Sequence, residues 1–450
     1  MAERREISIL VLGGSTHGNR GDLAMQEGIV WSLQQSLPEA RILFYAFNPQ
    51  ETETVLRVKA ELSPALTLST AWNRETPRST WQRLKAIGRA TVFWAQVLVH
   101  RWTGLMLTRQ KSRRKFLQEL ASAAAVIVPG SGAMNSYWWH DWFYPQAFCV
   151  VAARLRGVSV ILSSQGIGPV FAHALDRWVA RRMFRNASLL GVRDADQSFR
   201  ILKDLGAMQD RCVHSGDDAI LMPMQASAAV QAFAHEGLIA VNFRDSSTYQ
   251  KGFPKPALPS FARALEIILQ QDDRAHMLFV PISYNDQDDD RKPARGVCSL
   301  LEEKHRPRVS VVEQEMHAQE LRALIASARS GIGISYHFLL FCLSSNVPAL
   351  GLFANAYYEQ KTCGLFQLYG MEEWLVDIRS GVDAESLAEK FARLQAAHGE
   401  ITAHLRRRNA ELRGREVAFR NQMIGLISTE DRSRQTGCYM DLNLARAGFW

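Results

Sequence analysis

Ile7-Ser8-Ile9-Leu10-Val11-Leu12-Gly13-Gly14-Ser15-Thr16-His17-Gly18-Asn19-Arg20-Gly21-Asp22-Leu23-Ala24-Met25 is the stretch whose reading decides the fold. A short apolar run stops at paired glycines, a polar turn follows, and residues 23–37 then repeat with helical spacing. A strand with no polar alternation is buried on both faces, as in a parallel sheet covered by helices. The run 41–47 reads as the next strand, so this opening is a βαβ unit.

The same order recurs outward from that point. Residues 125–128 meet Pro129-Gly130-Ser131-Gly132, residues 158–163 meet Gln165-Gly166-Ile167-Gly168-Pro169, and residues 189–192 lead into Arg193-Asp194. After Met222-Pro223 the pattern restarts, with strands expected at 238–243, 277–282, 309–312, 331–335 and 349–353. Helices are expected at 261–269, 318–328 and 338–343, and a helical tract at 384–427. The fold class implied is α/β, two Rossmann-like lobes facing a cleft. The expected division is an N-terminal lobe over 1–222, a C-terminal lobe with terminal helices over 223–428, and a loosely ordered tail over 429–450. Open parallel sheets take ligands at the carboxyl ends of their strands, where all the glycine-rich turns fall.

Composition narrows the classes further. The chain has 450 residues, 47% of them hydrophobic and 22% charged, which is globular rather than disordered. No short-period repeat argues for a solenoid or propeller. Six cysteines are scattered without a CxxC pair, so neither a zinc knuckle nor a disulfide framework is expected. The basic N-terminus carries too brief an apolar run for a signal peptide, and no stretch reaches about 18 apolar residues. The expectation is a cytoplasmic enzyme with reduced thiols, stationed at the inner face of the cell membrane if its basic segment binds lipid.

That segment holds most of the charge. Arg74 to Gln118 contains eleven basic residues and one acid, 11 − 1 = +10, against +8 for the whole chain. Trp81, Phe93, Trp94, Val97, Leu98, Trp102, Leu105 and Leu107 are interleaved with the charges. Two readings stand: a helical insertion at about 74–118 lying on an anionic membrane surface, or amphipathic helices packed on the body with a solvated basic face. No recognised nucleic-acid motif accompanies the charge, and nucleic acid is not expected as a partner.

Four motifs are candidates for chemistry. Gly18-Asn19-Arg20-Gly21-Asp22 starts a helix, where glycine admits close approach and free N–H groups receive an anion; Asp22 could equally cap the helix. It is neither a GxGxxG nor a GxxxxGK[ST] loop. Pro129-Gly130-Ser131-Gly132, with Asn135 behind it, and Gln165–Pro169 are tight turns that either admit substrate or join strand to helix. Arg193 follows a strand and could grip a carboxylate or phosphate, or pair with Asp194. Arg244 holds an analogous place in the second lobe. In Gly333-Ile334-Ser335-Tyr336-His337-Phe338 the histidine stands at a helix start, to bind an anion, donate a proton, or fill the core.

In their order and spacing these pieces resemble the polysaccharide pyruvyl transferase family. The resemblance runs from about Ile9 to Ile378, with a gap over the basic insertion. It is carried by Asn19-Arg20-Gly21-Asp22-Leu23-Ala24-Met25, Gln165–Pro169, Val192-Arg193-Asp194 with Ser198 and Leu205-Gly206, Asp218-Ala219, His337, Val347-Pro348, Lys361 and Gly364. It implies a glycosyltransferase-B-like fold and phosphoenolpyruvate as donor substrate, with no cofactor and no metal. The product implied is a pyruvate ketal on a saccharide acceptor, lipid-linked or polymeric.

The roles implied are His337 and Asp22 as catalytic groups, and Arg193, Arg244, Ser335 and Gly168 at the donor. Asn19, Gly21, Ser131, Gly132, Gln165 and Lys361 would line the cleft or meet the acceptor. One position departs from the family: Ser335 stands where the R-x-H motif has its arginine. Serine cannot neutralise phosphate or carboxylate, so another cation must substitute, with Arg244 and His17 as candidates. Otherwise the chain uses another donor or has lost catalysis. A glycosyltransferase of the same fold would want donor-binding acids, which Glu313 or Glu315 could supply. A non-catalytic scaffold docked through 74–118 is the alternative from a different class.

Overall fold

A computed structural model of the protein describes residues 7–14, 18–68, 80–168, 171–244, 257–286 and 288–435. Its chain forms two compact units. Among the described residues the first holds 7–14, 25–68, 80–168, 171–221 and 415–435, and the second holds 18–24, 222–244, 257–286 and 288–414.

In the first unit the strands are β1 (Ser8–Leu12), β2 (Arg41–Ala46), β3 (Lys59–Leu62), β4 (Ala123–Val128), β5 (Ser159–Gln165), β6 (Leu189–Val192) and β7 (Cys212–His214). Helix α1 (Arg20–Ser36) follows β1, and α2 (Pro49–Leu56), α3 (Ala65–Leu68), α4 (Thr80–Thr103), α5 (Lys111–Leu120), α6 (Tyr144–Leu155), α7 (Ala174–Arg185) and α8 (Asp196–Asp204) fill the crossovers. The sheet order is β3-β2-β1-β4-β5-β6-β7, parallel throughout, and the order reverses between β1 and β4. Strands β1, β4 and β5 are buried along their whole length, as continuous apolar runs require.

The second unit has β8 (Leu238–Asn242), β9 (His276–Phe279), β10 (Val309–Val311), β11 (Ser330–Gly333), β12 (Ala349–Phe353) and β13 (Leu375–Asp377). Around them lie α9 (Ala228–Ala232), α10 (Ala257–Gln271), α11 (Arg291–Leu300), α12 (Ala318–Ala326), α13 (Tyr336–Ser344), α14 (Ala356–Tyr369), α15 (Ala384–Ala396) and α16 (His398–Gln435). The order β10-β9-β8-β11-β12-β13 is again all parallel, with its switch point between β8 and β11. The alternation read from the sequence thus corresponds to two separate parallel sheets. Strands β3, β7 and β13 escaped that reading. Each is an edge or short strand with partly exposed residues, and so lacks the apolar run that betrays a buried strand.

Three expectations are corrected. The units divide between Leu221 and Met222, and the terminal helices do not all belong to the second unit: α16 leaves it after Gly414 and packs on the first through Glu416, Phe419 and Arg420. The helix continues to Gln435, past the point where a loose tail was expected, and residues 436–450 lie outside the described residues. The insertion is indeed a helix pair, α4 and α5, yet its basic face is not simply solvated. Arg83 turns inward to Asp176 (2.8 Å), Arg101 donates to the Leu155 carbonyl (2.8 Å), and Arg113 donates to the Thr67 hydroxyl (2.7 Å). The expected residues 74–79 of that insertion lie outside the described residues.

Candidate functional site

The second unit assembles a constellation at the switch point of its sheet. Residues 18–24, the entry to α1, belong to it. Asn19 bridges to Ser283, the Arg20 N–H donates to the Ile282 carbonyl (2.8 Å), and the Tyr284 N–H donates to the Gly18 carbonyl (2.9 Å). The helix start is capped by Asn19, not by Asp22: its Oδ1 accepts from the Gly21 N–H (2.9 Å) and the Asp22 N–H (3.4 Å). An asparagine just ahead of the first turn has the reach to satisfy those donors. Asp22 is left exposed in the first turn, where its charge complements the helix dipole.

His337 lies against that turn. A Cβ on Gly21 would fall 2.0 Å from His337 Nδ1, so only glycine lets the α1 backbone rest on the imidazole. The ring is buried, with Tyr336 edge-on at 5.1 Å. Arg20, next to Gly21 in sequence, donates from Nε to the Met316 carbonyl (2.8 Å) and pairs with Glu315 (2.9 Å) over the Tyr284 ring. Glu313 is taken by Arg295. Glu313 and Glu315, either of which could supply the acid of a nucleotide-sugar site, are thus both paired with arginines.

Arg244 follows β8 and is buried. Asp290 holds it by two hydrogen bonds, 2.7 Å to Nε and 2.8 Å to Nη2. The same carboxylate accepts from Asn242 Nδ2 (3.2 Å) and from the Ile282 (2.8 Å) and Ser283 (3.0 Å) N–H groups. Burial works against the guanidinium charge, but Asp290 and Tyr358 outweigh it and hold its pKa well above the ordinary value. Burial pushes the Tyr358 hydroxyl up, and Lys361, one turn further along α14, lies 4.0 Å over the ring of the neighbouring Tyr357. Asn242, last in β8, ties the group together: its Oδ1 accepts from the Ser335 N–H (3.1 Å) at the start of α13, two residues before His337. The Ser335 side chain makes no capping bond.

In this way Asn19, Gly21, Asp22, Arg244, Ser335, His337 and Lys361 are all carried by the second unit. His17, the other candidate substitute cation, lies outside the described residues. Sequence reasoning missed Arg20, Asn242 and Asp290. Asn242 had a legible signal, a polar residue closing the apolar run Leu238–Asn242; Asp290 had none, being one of a run of aspartates.

The first unit carries the other candidates. Arg193 is buried, pairs with Asp217 (3.7 Å), and stands where a Cβ on Gly166 would fall 2.4 Å from its Nε. It does not pair with Asp194, which instead caps α8 through the Ser198 N–H and hydroxyl, both at 2.9 Å. Nor is its place analogous to that of Arg244, since it follows β6, away from the switch point of its own sheet. Gln165 is held by the Val128, Pro129 and Ser163 carbonyls. The Ser131 hydroxyl accepts from the Ala133 N–H, while Asn135 donates to the Gly132 and Gly168 carbonyls.

Behind these turns is a polar cluster the sequence did not announce. Asp218 accepts from the Gly130 N–H (2.7 Å), the Ser163 hydroxyl (2.7 Å) and Arg420. Glu416 accepts from Ser164 (3.2 Å) and Arg420 (3.2 Å). Burial pushes the Glu416 carboxyl up to about 8; Arg420 opposes the shift, and Asp218 and Asp217 add to it.

The family model for polysaccharide pyruvyl transferase matches residues 19–355. The amylovoran biosynthesis protein AmsJ of Erwinia amylovora is 22% identical over 401 residues, covering 85% of this chain and 91% of its own. Among solved structures, a putative UDP-N-acetylglucosamine 2-epimerase of Listeria monocytogenes has a TM-score of 0.56 at 11% identity, covering 88% of this chain and 91% of its own. A ugt transferase of Siraitia grosvenorii in complex with UDP has a TM-score of 0.54 at 13% identity, covering 94% and 100%. These likenesses at low identity concern the fold, two parallel-sheet α/β domains of glycosyltransferase-B type.

Proposed function

The chain belongs to the polysaccharide pyruvyl transferase family, and from that premise we propose that it moves pyruvate from phosphoenolpyruvate onto a lipid-linked or polymeric saccharide as a ketal. The observation that carries the reading is the seating of His337 on the first turn of α1, the two most informative motifs of the sequence brought into contact. A helix start receives an anion, and an imidazole beside it is placed to hold or move a proton.

The reaction needs three services. The methylene carbon of the donor takes a proton, assigned to His337, leaving positive charge on the carbon that bears the phosphate. A sugar hydroxyl attacks that carbon and gives up its proton, for which the exposed carboxylate Asp22 is assigned. Phosphate then leaves with the C–O bond electrons, and a second hydroxyl closes the ketal, its proton returning to the imidazole that gave one to the methylene carbon. Donor binding is assigned to Arg244, Ser335, Arg193 and Gly168, and acceptor binding to Asn19, Gly21, Ser131, Gly132, Gln165 and Lys361.

Ser335 bears on how the donor is neutralised. Because Asp290 already balances Arg244, that arginine offers directed N–H groups rather than net charge, and the backbone N–H groups of α1 carry more of the task. Calorimetric titration with phosphoenolpyruvate tests this, with Arg244→Ala and Arg193→Ala as controls and nucleotide-sugars in parallel. Saturable binding weakened in both variants, with inorganic phosphate released when saccharide acceptor is added, supports the reading. Binding of a nucleotide-sugar and not of phosphoenolpyruvate overturns it.

A further inference from the structure

Helix α4 carries its apolar residues on two faces. Ala86, Ala90, Phe93 and Val97 are buried in the core of the first unit, and the Trp94 Nε1–H donates to the Phe148 carbonyl (3.0 Å). The opposite face is expected to be polar in a surface helix. Instead Trp81, Leu84, Val92 and Trp102 follow one another at spacings of three, four and seven residues or their sums, with Gly88, Ala95 and Val99 between them. Trp81 is 63% exposed and Trp102 68%, and the loop beyond adds exposed Leu105 and Leu107. Six of the thirteen exposed large apolar side chains among the described residues thus lie between Trp81 and Leu107. A concentration of that kind marks an interaction surface.

The charges around it select the partner. Lys85 and Arg89 flank the stripe and Arg109, Lys111 and Arg114 stand exposed beyond it, while no aspartate or glutamate occurs from Thr80 to Gln118. Lys85 stacks over the Trp81 ring, 5.4 Å from its centroid. Helix α4 has 24 residues, about 36 Å at 1.5 Å per residue, and no described helix is long and apolar enough to cross a membrane. A straight, convex apolar stripe fits a plane better than a pocket. A second copy meeting it about a two-fold axis would set two basic, acid-free segments face to face, which is repulsive.

We propose that the outer face of α4 and the loop 104–107 form a docking surface for an anionic lipid bilayer. The helix lies in the plane of the interface, with Trp81 and Trp102 inserted at headgroup depth and the lysines and arginines on acidic headgroups. This proposal stands apart from the assigned chemistry, since no residue of the stripe belongs to the candidate site.

The test is flotation of the full chain with vesicles of phosphatidylcholine alone or mixed with phosphatidylglycerol. Partition into the anionic vesicles only, falling as salt is raised, is expected. Lys85→Gln with Arg89→Gln should lower it about fivefold per charge, and Trp81→Ser with Trp102→Ser should lower it further, at unchanged salt dependence. Thermal unfolding accompanies both; if the tryptophan variant unfolds early, the charge variant alone decides. Absence of partition into anionic vesicles overturns the proposal, as does partition that neither variant weakens. A self-association in sedimentation that the tryptophan variant dissolves, without vesicle binding, overturns it in favour of a second copy.

Discussion

The two sheets present their carboxyl ends in different ways, and the contrast separates framework from chemistry. At the ends of β4 and β5 in the first unit, Asp218, Ser163 and Ser164 are sealed by Glu416 and Arg420 from α16, and every member is buried. At the ends of β8 and β11 in the second unit, Asp290 and Asn242 hold Arg244 and the start of α13, and what completes the group is a helix start with a glycine under a histidine. The first cluster uses its charges to bind a returning helix. The second uses them to fix Arg244 and the start of α13, the groups assigned to the donor in the proposed reaction.

The sharpest way to break this contrast is Arg420→Ala. It leaves Asp218 and Glu416 buried without their cation, and the first unit should lose about 3–5 kcal/mol, read as an earlier urea transition. Retained stability would mean that α16 is held by its apolar contacts and that the cluster is free for another role.

Gly21→Ala should act on the second cluster and spare the first. The added methyl would displace His337, and a displacement of about 1 Å costs on the order of a hundredfold in turnover. Phosphate release from phosphoenolpyruvate and acceptor is the measurement, with the unfolding midpoint as control. Unchanged turnover would remove His337 from the chemistry.

Glu416 predicts a pH signature for the first unit. Its folded pKa, about 8, lies above the unfolded carboxyl value, so between them the folded state holds a proton that the unfolded state has released. Stability should therefore decline as pH rises from about 5 to about 8, by up to about 1.4 kcal/mol per pH unit. Glu416→Gln should flatten that slope. The same slope in the variant would assign it to another group.

The smallest effect is expected at Ser335→Ala. The buried serine side chain makes no capping bond and only its backbone N–H meets Asn242, so stability should change by about 1 kcal/mol or less. A large loss of phosphoenolpyruvate affinity at unchanged stability would show the hydroxyl acting on the donor, sharpening the difference between the two clusters.

Much of this was legible in the order of residues. Apolar runs without alternation, most of them closed by a glycine-rich or polar turn, give parallel strands because a strand covered on both faces is mainly apolar and admits a polar side chain only with a buried partner. Arg193, Arg244 and His337 could be noticed because they stand at strand ends, where side chains leave the sheet. Their partners could not. Asp217 lies 24 residues from Arg193 and Asp290 lies 46 from Arg244, and nothing local distinguishes either from a solvated aspartate. The partner read for Arg193, its neighbour Asp194, turned out to cap a helix, because the chain bends the two side chains apart after β6.

The sequence by itself determined two parallel α/β domains, the family, and the basic tryptophan-rich insertion, since these follow from periodicity, spacing and composition along the chain. Tertiary structure alone decided that residues 18–24 complete the second unit, that α16 returns to the first, and that α4 keeps an apolar face uncovered. The physical reason is common to all three. Which of two apolar faces is buried, and which carboxylate meets which arginine, depends on contacts between residues far apart in the chain, and local pattern carries no record of them.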